Sequence, residues 1–267
     1  MSYIELSGTD LALAALLLII NGAISIAFRL GLAISFAVAA VRMGIQLAAV
    51  GFVLNFIFAQ TSPLWTVLIV FVMVLVAGYE LVQRQESRFR SWLAYGLGNA
   101  TLMLVGGLAT VYAVVVVVHP SPWYAPRYIV PILGMVLGNT LTSCSLALQT
   151  LTEGAVRERA AIEARIAQGA TRIEAFGTVL RRALNTAITP LLNVMSVAGI
   201  VSLPGMMTGQ ILAGANPAEA AKYQIMIMFV LTGASGLGAF AAAFGGVLLL
   251  TDARHRLRLD RLASGPV

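Results

Sequence analysis

The sequence predicts an all-α integral membrane protein with about seven transmembrane helices, the N-terminus outside and the C-terminus in the cytoplasm. Three observations carry that expectation. Of 267 residues, 59% are hydrophobic and 10% charged, whereas about a quarter of an ordinary soluble domain is charged. Seven stretches, 10–28, 32–58, 64–82, 92–118, 128–149, 186–203 and 223–250, are apolar and long, and a helix rising about 1.5 Å per residue needs about 20 residues to cross roughly 30 Å of hydrocarbon. The arginines alternate: Arg29 follows the first stretch, Arg84, Arg88 and Arg90 the third, six between Arg157 and Arg182 the fifth, and four the seventh. The other connections hold only Arg127 and Lys222, so the excess of basic residues on alternate sides fixes the orientation. The net charge of +6 is therefore a mark of topology and lipid contact rather than of nucleic-acid binding.

In chain order, the first stretch has Glu5 and Asp10 around its start and no basic residue before it. That is the wrong charge order for a cleaved signal peptide, and the span is expected to stay in the mature chain. The second places Arg42 and Gln46 four residues apart, on one helix face. A charge at that depth is a candidate for the transport path or a structural ion pair, with Glu80 near the inner end of the third stretch as its partner. Between the fourth and fifth, 119–128 gathers three prolines with Trp123 and Tyr124, a helix-breaking anchor suited to the membrane interface.

The fifth stretch is polar at its inner end, with Asn139, Thr140, Thr142, Ser143 and Ser145. Such side chains join helices by hydrogen bonds or line a path. After the sixth, Pro204-Gly205 is expected to halt the helix, leaving Met206, Met207 and Gln210 on a broken or re-entrant segment beside a cavity. Methionine fills packing gaps more often than it binds soft metals. The seventh stretch contains no lysine, which excludes a retinal-binding receptor.

Catalysis is not expected. Lys222 is the only lysine and follows two alanines, so no P-loop is present, and neither a nucleophile elbow nor HExxH occurs. Cys144 is the single cysteine, and His119 and His255 are the only histidines, too few for a disulfide, a thiolate cluster or a histidine-rich metal site.

The whole chain, 1–267, is expected to form one transmembrane domain in which 151–182 is the single long cytoplasmic segment rich in both charges. Ala155, Arg159, Ile162 and Ile166 follow helical steps, as do Ile173, Phe176 and Leu180 after Gly169. Two short amphipathic helices joined at a glycine of positive φ are expected. They either lie on the membrane surface or dock onto a partner.

The order Glu163-Ala164-Arg165, three residues, Gly169-Ala170-Thr171, then Ala175-Phe176 and Val179 resembles the EAA loop of ABC-transporter permeases. Arg165 stands where a second alanine is usual, and Arg181-Arg182 where leucine-proline is common. Gly138-Asn139-Thr140-Leu141-Thr142 before it and the run from Ser202 through Pro204-Gly205-Met206-Met207-Thr208-Gly209-Gln210 to Gly214 after it resemble the FetB family of ABC permeases, as does Tyr223 to Met228.

That resemblance implies an inner-membrane permease homodimer paired with two copies of a separate ATPase, which would hold ATP and Mg. In this chain it implies no cofactor, a coupling role for Glu163, Ala164, Gly169, Ala170, Thr171 and Phe176, and export of iron or another metal. Plant relatives are linked to aluminium tolerance and associated with UDP-glucose, so a nucleotide sugar is the alternative solute. The other alternative is an ATP-independent secondary transporter, although proton or sodium coupling usually leaves carboxylates within the spans, and Glu80 is the one candidate.

Overall fold

The computed structural model describes residues 7–59, 62–84, 88–89, 92–252 and 254–263. Glu5 and Arg90, used in the sequence reading, lie outside them. Most of the described residues are helical, and β1 (Arg88–Phe89) pairs with β2 (Leu262–Ala263) over two residues. Six helices among the described residues are long and apolar enough to cross a membrane. The chain divides into two compact units, Met1–Thr61 and Ser62–Val267.

The first unit is a helical hairpin of α1 (Gly8–Ala27) and α2 (Ala33–Ala59). Ser7 caps α1 in a reciprocal box with Asp10, its backbone N–H donating to Asp10 Oδ2 at 2.8 Å, which satisfies free donors at the helix start. Between the helices, Arg29 and Gly31 take positive φ, and buried Ser25 accepts the Leu32 N–H at 2.9 Å. Within this unit the apolar side chains of both helices are exposed almost all round, the pattern of surfaces that hydrocarbon covers.

The second unit is built on α6 (Pro126–Arg157) and α11 (Pro217–Leu249). They approach through glycines. A methyl at Gly238 would overlap Thr140 and Cys144, and one at Gly246 would meet Leu151 and Leu148. Small residues at such crossings let backbones close up. Because the paired positions rise together along both helices, α6 and α11 run in the same direction.

The helix that runs back between them is α9 (Gly177–Val197). Val179 sits against Gly154 near the end of α6, and Met195 Sδ, near the other end of α9, accepts the Thr232 hydroxyl of α11 at 3.1 Å. The sixth apolar stretch is thus misplaced by sequence. Its helix starts at Gly177 and stops at Val197, where Gly199 turns the chain at φ 84°. The break falls at 198–202 rather than at Pro204-Gly205, and Pro204 instead caps α10 (Gly205–Leu212). Met206, Met207 and Gln210 lie on that regular helix, not on irregular backbone.

Around this core pack α3 (Pro63–Gln83) and a segmented fourth pass. The latter consists of α4 (Trp92–Thr101), a π-helical turn (Leu102–Gly106), α5 (Gly107–Val111) and a second π-helical turn (Tyr112–Val118). His119, at φ 52°, ends it.

Candidate functional site

The segment 151–182 starts as the last turns of α6, which runs on to Arg157 rather than stopping at 149. Then come α7 (Arg159–Ala167) and the single turn α8 (Arg172–Ala175). The expected glycine turn is present. Gly169 has φ 94°, its N–H donates to Ile166 O at 2.9 Å, and the Ala170 N–H donates to Arg165 O at 3.1 Å. These paired bonds close the end of α7, and they need a residue without a β-carbon. Two residues on, Thr171 caps α8. The Thr171 N–H donates to Glu174 Oε2 at 2.8 Å, and Glu174 N–H returns a bond to Thr171 Oγ1 at 3.4 Å. The Thr171 amide holds the Glu174 carboxyl below its ordinary pKa.

The apolar side of this hairpin is anchored in the protein. Ile162, Ala175, Phe176 and Val179 are buried with Ala155, Ala183 and Val247 in one cluster, so the predicted inward face is right at Ala155, Ile162, Phe176 and Leu180. Arg159 and Ile173 depart from it: Arg159 is exposed and paired with Glu163, and Ile173 is 46% exposed on α8, which is too short to present a continuous stripe. The C-terminal tail completes the support. Leu257, Leu259 and Leu262 pack on the same cluster, while Arg261 Nη1 donates to Leu249 O and Thr251 O at 2.8 and 3.1 Å.

Of the candidate coupling residues, Glu163, Ala164, Gly169 and Thr171 are exposed, Ala170 is half-buried and Phe176 is fully buried. The exposed set is available to a partner, whereas Phe176 fixes the hairpin from beneath. Glu163 is paired with Arg159 at 2.8 Å. Arg165, at the position where the resemblance would put alanine, donates from Nη1 to Ala175 O and to Thr178 Oγ1, each at 3.2 Å. It ties α7 to the start of α9.

The polar residues of α6 differ in burial. Thr140, Ser143 and Ser145 are buried among helices, and Thr140 Oγ1 lacks a hydrogen-bond partner. Asn139 is half-buried and Thr142 exposed. Their side chains donate to Met135 O at 2.8 Å and Gly138 O at 3.0 Å, and Gln149 and Glu153 continue the same face, bonded to each other at 3.0 Å.

A second polar face was not singled out from the sequence. On α9, Arg182, Asn185, Thr189, Asn193 and Ser196 follow steps of three and four and are all exposed, while Val179, Ala183, Ala187 and Leu191 are buried on the other side. Both faces begin at the hairpin end of their helices. The signal lay in the helical spacing of the polar residues within the sixth stretch.

The remaining candidates lie on other helices. Arg42 and Gln46 are exposed on α2 of the first unit, and Glu80 is half-buried near the end of α3 in the second. Pro204, Met206, Met207 and Gln210 are half-buried and Gly205 is exposed. Met206 packs on a buried cluster containing Val136 and Ile227, and Gln210 Oε1 is buried without a hydrogen-bond partner. Among the described residues, no group of three or more His, Cys, Asp or Glu side chains converges to hold a metal ion.

The helical membrane architecture and this hairpin can be set beside known proteins. The family model described as Uncharacterised protein family (UPF0014) matches residues 8–248. The chain belongs to the UPF0014 family. Among UPF0014 relatives, the membrane protein slr1647 of Synechocystis sp. is 40% identical, covering 71% of this chain and 73% of its own. Protein ALUMINUM SENSITIVE 3 of Arabidopsis thaliana is 34% identical over 76% of this chain and 72% of its own. The Escherichia coli protein named probable iron export permease protein FetB is 29% identical over 97% of both chains. No solved structure matches. This UPF0014 chain is a multi-pass membrane protein.

Proposed function

We propose that this chain is the membrane-spanning permease subunit of an ABC transporter, working in the inner membrane as a homodimer with two copies of a separate ATPase. The observation that carries the reading is the hairpin. An exposed tip of Glu163, Ala164, Gly169 and Thr171 is held rigidly by buried Ile162 and Phe176, as a helix must be if a partner's movement is to reach the spans rather than bend the loop.

Within the second unit, the same end carries most of the described basic residues. Arg84 ends α3, the β1 backbone pairs with the tail, and Arg256 and Arg258 flank Leu257 on the hairpin cluster. That clustering supports a cytoplasmic location for the hairpin and the C-terminus. Since α6 and α11 run the same way, α9 makes the return crossing, and its 21 residues span about 31 Å at 1.5 Å per residue. With the six apolar helices this gives seven crossings and an outside N-terminus.

The polar faces of α6 and α9 supply the path. Amide and hydroxyl groups at that depth are costly against lipid, and a second copy of the chain would enclose them. ATP binding and hydrolysis in the partner would shift the hairpins and alternate the side to which the path opens. ATP and Mg belong to that partner, and this chain contributes no catalytic group.

The relative named for iron export supports a metal species as cargo, and the Arabidopsis relative's name points to aluminium. The path offers amides and hydroxyls rather than converging carboxylates and imidazoles, which suits a hydrated or chelated metal better than a bare, tightly ligated ion. The same chemistry favours a second reading, a hydroxyl-rich solute such as a nucleotide sugar.

The test is transport in proteoliposomes holding the permease and its ATPase. ATP-driven movement of ferrous iron supports the metal reading, and movement of UDP-glucose alone replaces it with the second. Substrate movement by the permease without any ATPase overturns the ABC assignment in favour of a secondary transporter.

A further inference from the structure

A cavity of about 220 Å³ lies in the second unit at the end remote from the hairpin, between α3, α5 and the start of α6. Thr66 and Val67 form one side, Gly107, Thr110 and Val114 a second, and Leu133 the third. Its two threonines offer it nothing polar. Thr66 donates its hydroxyl to Tyr124 O at 3.2 Å and Thr110 to Gly106 O at 2.7 Å, so the wall is hydrocarbon. Water gains no partners in such a space. An apolar cavity of about 150 Å³ stays dry and takes up a hydrocarbon guest instead.

The surroundings fix which hydrocarbon is available. Val67 and Val111, on the flanking helices, are 64% and 53% exposed, so the cavity borders a face that the bilayer covers. At its outer end stand Trp123 and Tyr124, stacked edge-to-face with centroids 5.9 Å apart. Aromatic rings of this kind mark the level of lipid headgroups, which places the cavity where the upper part of an acyl chain runs. Gly107 deepens it, since a β-carbon there would meet nothing within 4 Å.

The geometry points to a binding site for one acyl chain of a membrane phospholipid, held between α3, α5 and α6 below Trp123. The acyl chain would pack against Thr110 and Val111 of α5 and against Val114 and Val115 of the π-helical turn that follows it. This site is separate from the hairpin and the polar faces, and it does not depend on the transport reading.

The experiment uses the full chain in phospholipid vesicles doped with a phospholipid carrying a photoreactive diazirine in its acyl chain. Thr110 and Leu133 are 4% and 1% exposed, so lipid merely surrounding the protein does not reach them. Labelling at these two residues is expected in the unaltered protein. Gly107→Met, which fills the cavity, should lower labelling at both by about tenfold or more, the scale of one lost anchoring interaction. Gly233→Met adds the same bulk at an exposed position of α11 where nothing lies within 4 Å, and should leave it unchanged. Absence of label at Thr110 and Leu133 in the unaltered protein overturns the inference, whatever the stability of the variants. So does label that persists in both Gly107→Met and Thr110→Met, the latter read at Leu133.

Discussion

Arg182 Nη1 lies 2.6 Å from Glu158 Oε1, so the second turn of α9 is tied to the residue that ends α6. Across 24 residues of sequence this pair closes the base of the hairpin. Glu158 is only 25% exposed at its side chain and Arg182 44%, which leaves the contact partly screened.

Half-exposed ion pairs are worth about 0–1 kcal/mol, so Glu158→Arg alone should lower thermal stability little but weaken coupling. The exchange Glu158→Arg with Arg182→Glu should restore transport-coupled ATP hydrolysis. A double variant no better than the single ones would show that the pair only decorates the surface.

Phe176 is the heaviest of the fully buried side chains. Phe176→Ala should cost about 3–5 kcal/mol through lost contacts and the cavity left behind, seen as a lowered unfolding midpoint in detergent. Ile162→Val, in the same cluster, should cost about 0.5–1.5 kcal/mol. Equal effects would mean that the hairpin is not packed as described.

Gly238 and Gly236 are two residues apart on α11, yet only the first faces Thr140 and Cys144. Gly238→Leu should separate α6 from α11 and abolish stable expression. Gly236→Ala should be tolerated and can stabilise the helix by up to about 1 kcal/mol. Fluorescence-detected size exclusion distinguishes the two, and a well-folded Gly238→Leu protein would contradict the close crossing.

Asp260 receives both Arg258 Nε and Nη2, at 2.9 and 2.8 Å, and the Arg258 bonds hold its carboxyl at about 2, below the ordinary 3.8. A depressed carboxyl stabilises the folded tail fully above its unfolded value and loses that contribution as pH falls through the folded one. Protection of the Arg261 amide, which donates to Arg258 O at 3.2 Å, should therefore stay level down to about pH 4 and decline towards pH 2. Loss beginning well above pH 5 would assign the tail's order to another group.

Much of this was legible because the bilayer imposes simple rules. Long apolar runs identified an all-α multi-pass membrane protein, and Gly169 with Thr171 two residues on specified the turn and cap of the hairpin. The sixth apolar stretch was harder. Asn185, Thr189, Asn193 and Ser196 interrupt its hydropathy, so a sliding apolar window slipped towards residues 198–203, although helical spacing shows that these polar groups share one face of α9. Pro204 misled for a related reason: proline stops a helix but also starts one well, and here it caps α10. Arg165 drew notice only as a departure from a pattern, because its bonds to Ala175 and Thr178 join segments that sequence reading treats separately.

The most direct measurement of the central claim is cargo-stimulated ATP hydrolysis by the permease co-purified with its ATPase in lipid, compared with Gly169→Leu. That substitution meets no neighbouring atom within 4 Å of its β-carbon but forces a side chain into φ 94°, so membrane insertion should be kept while the coupling turn is distorted. A stable complex whose stimulation is lost in the variant is expected; stimulation undiminished by Gly169→Leu would overturn the coupling role of the hairpin.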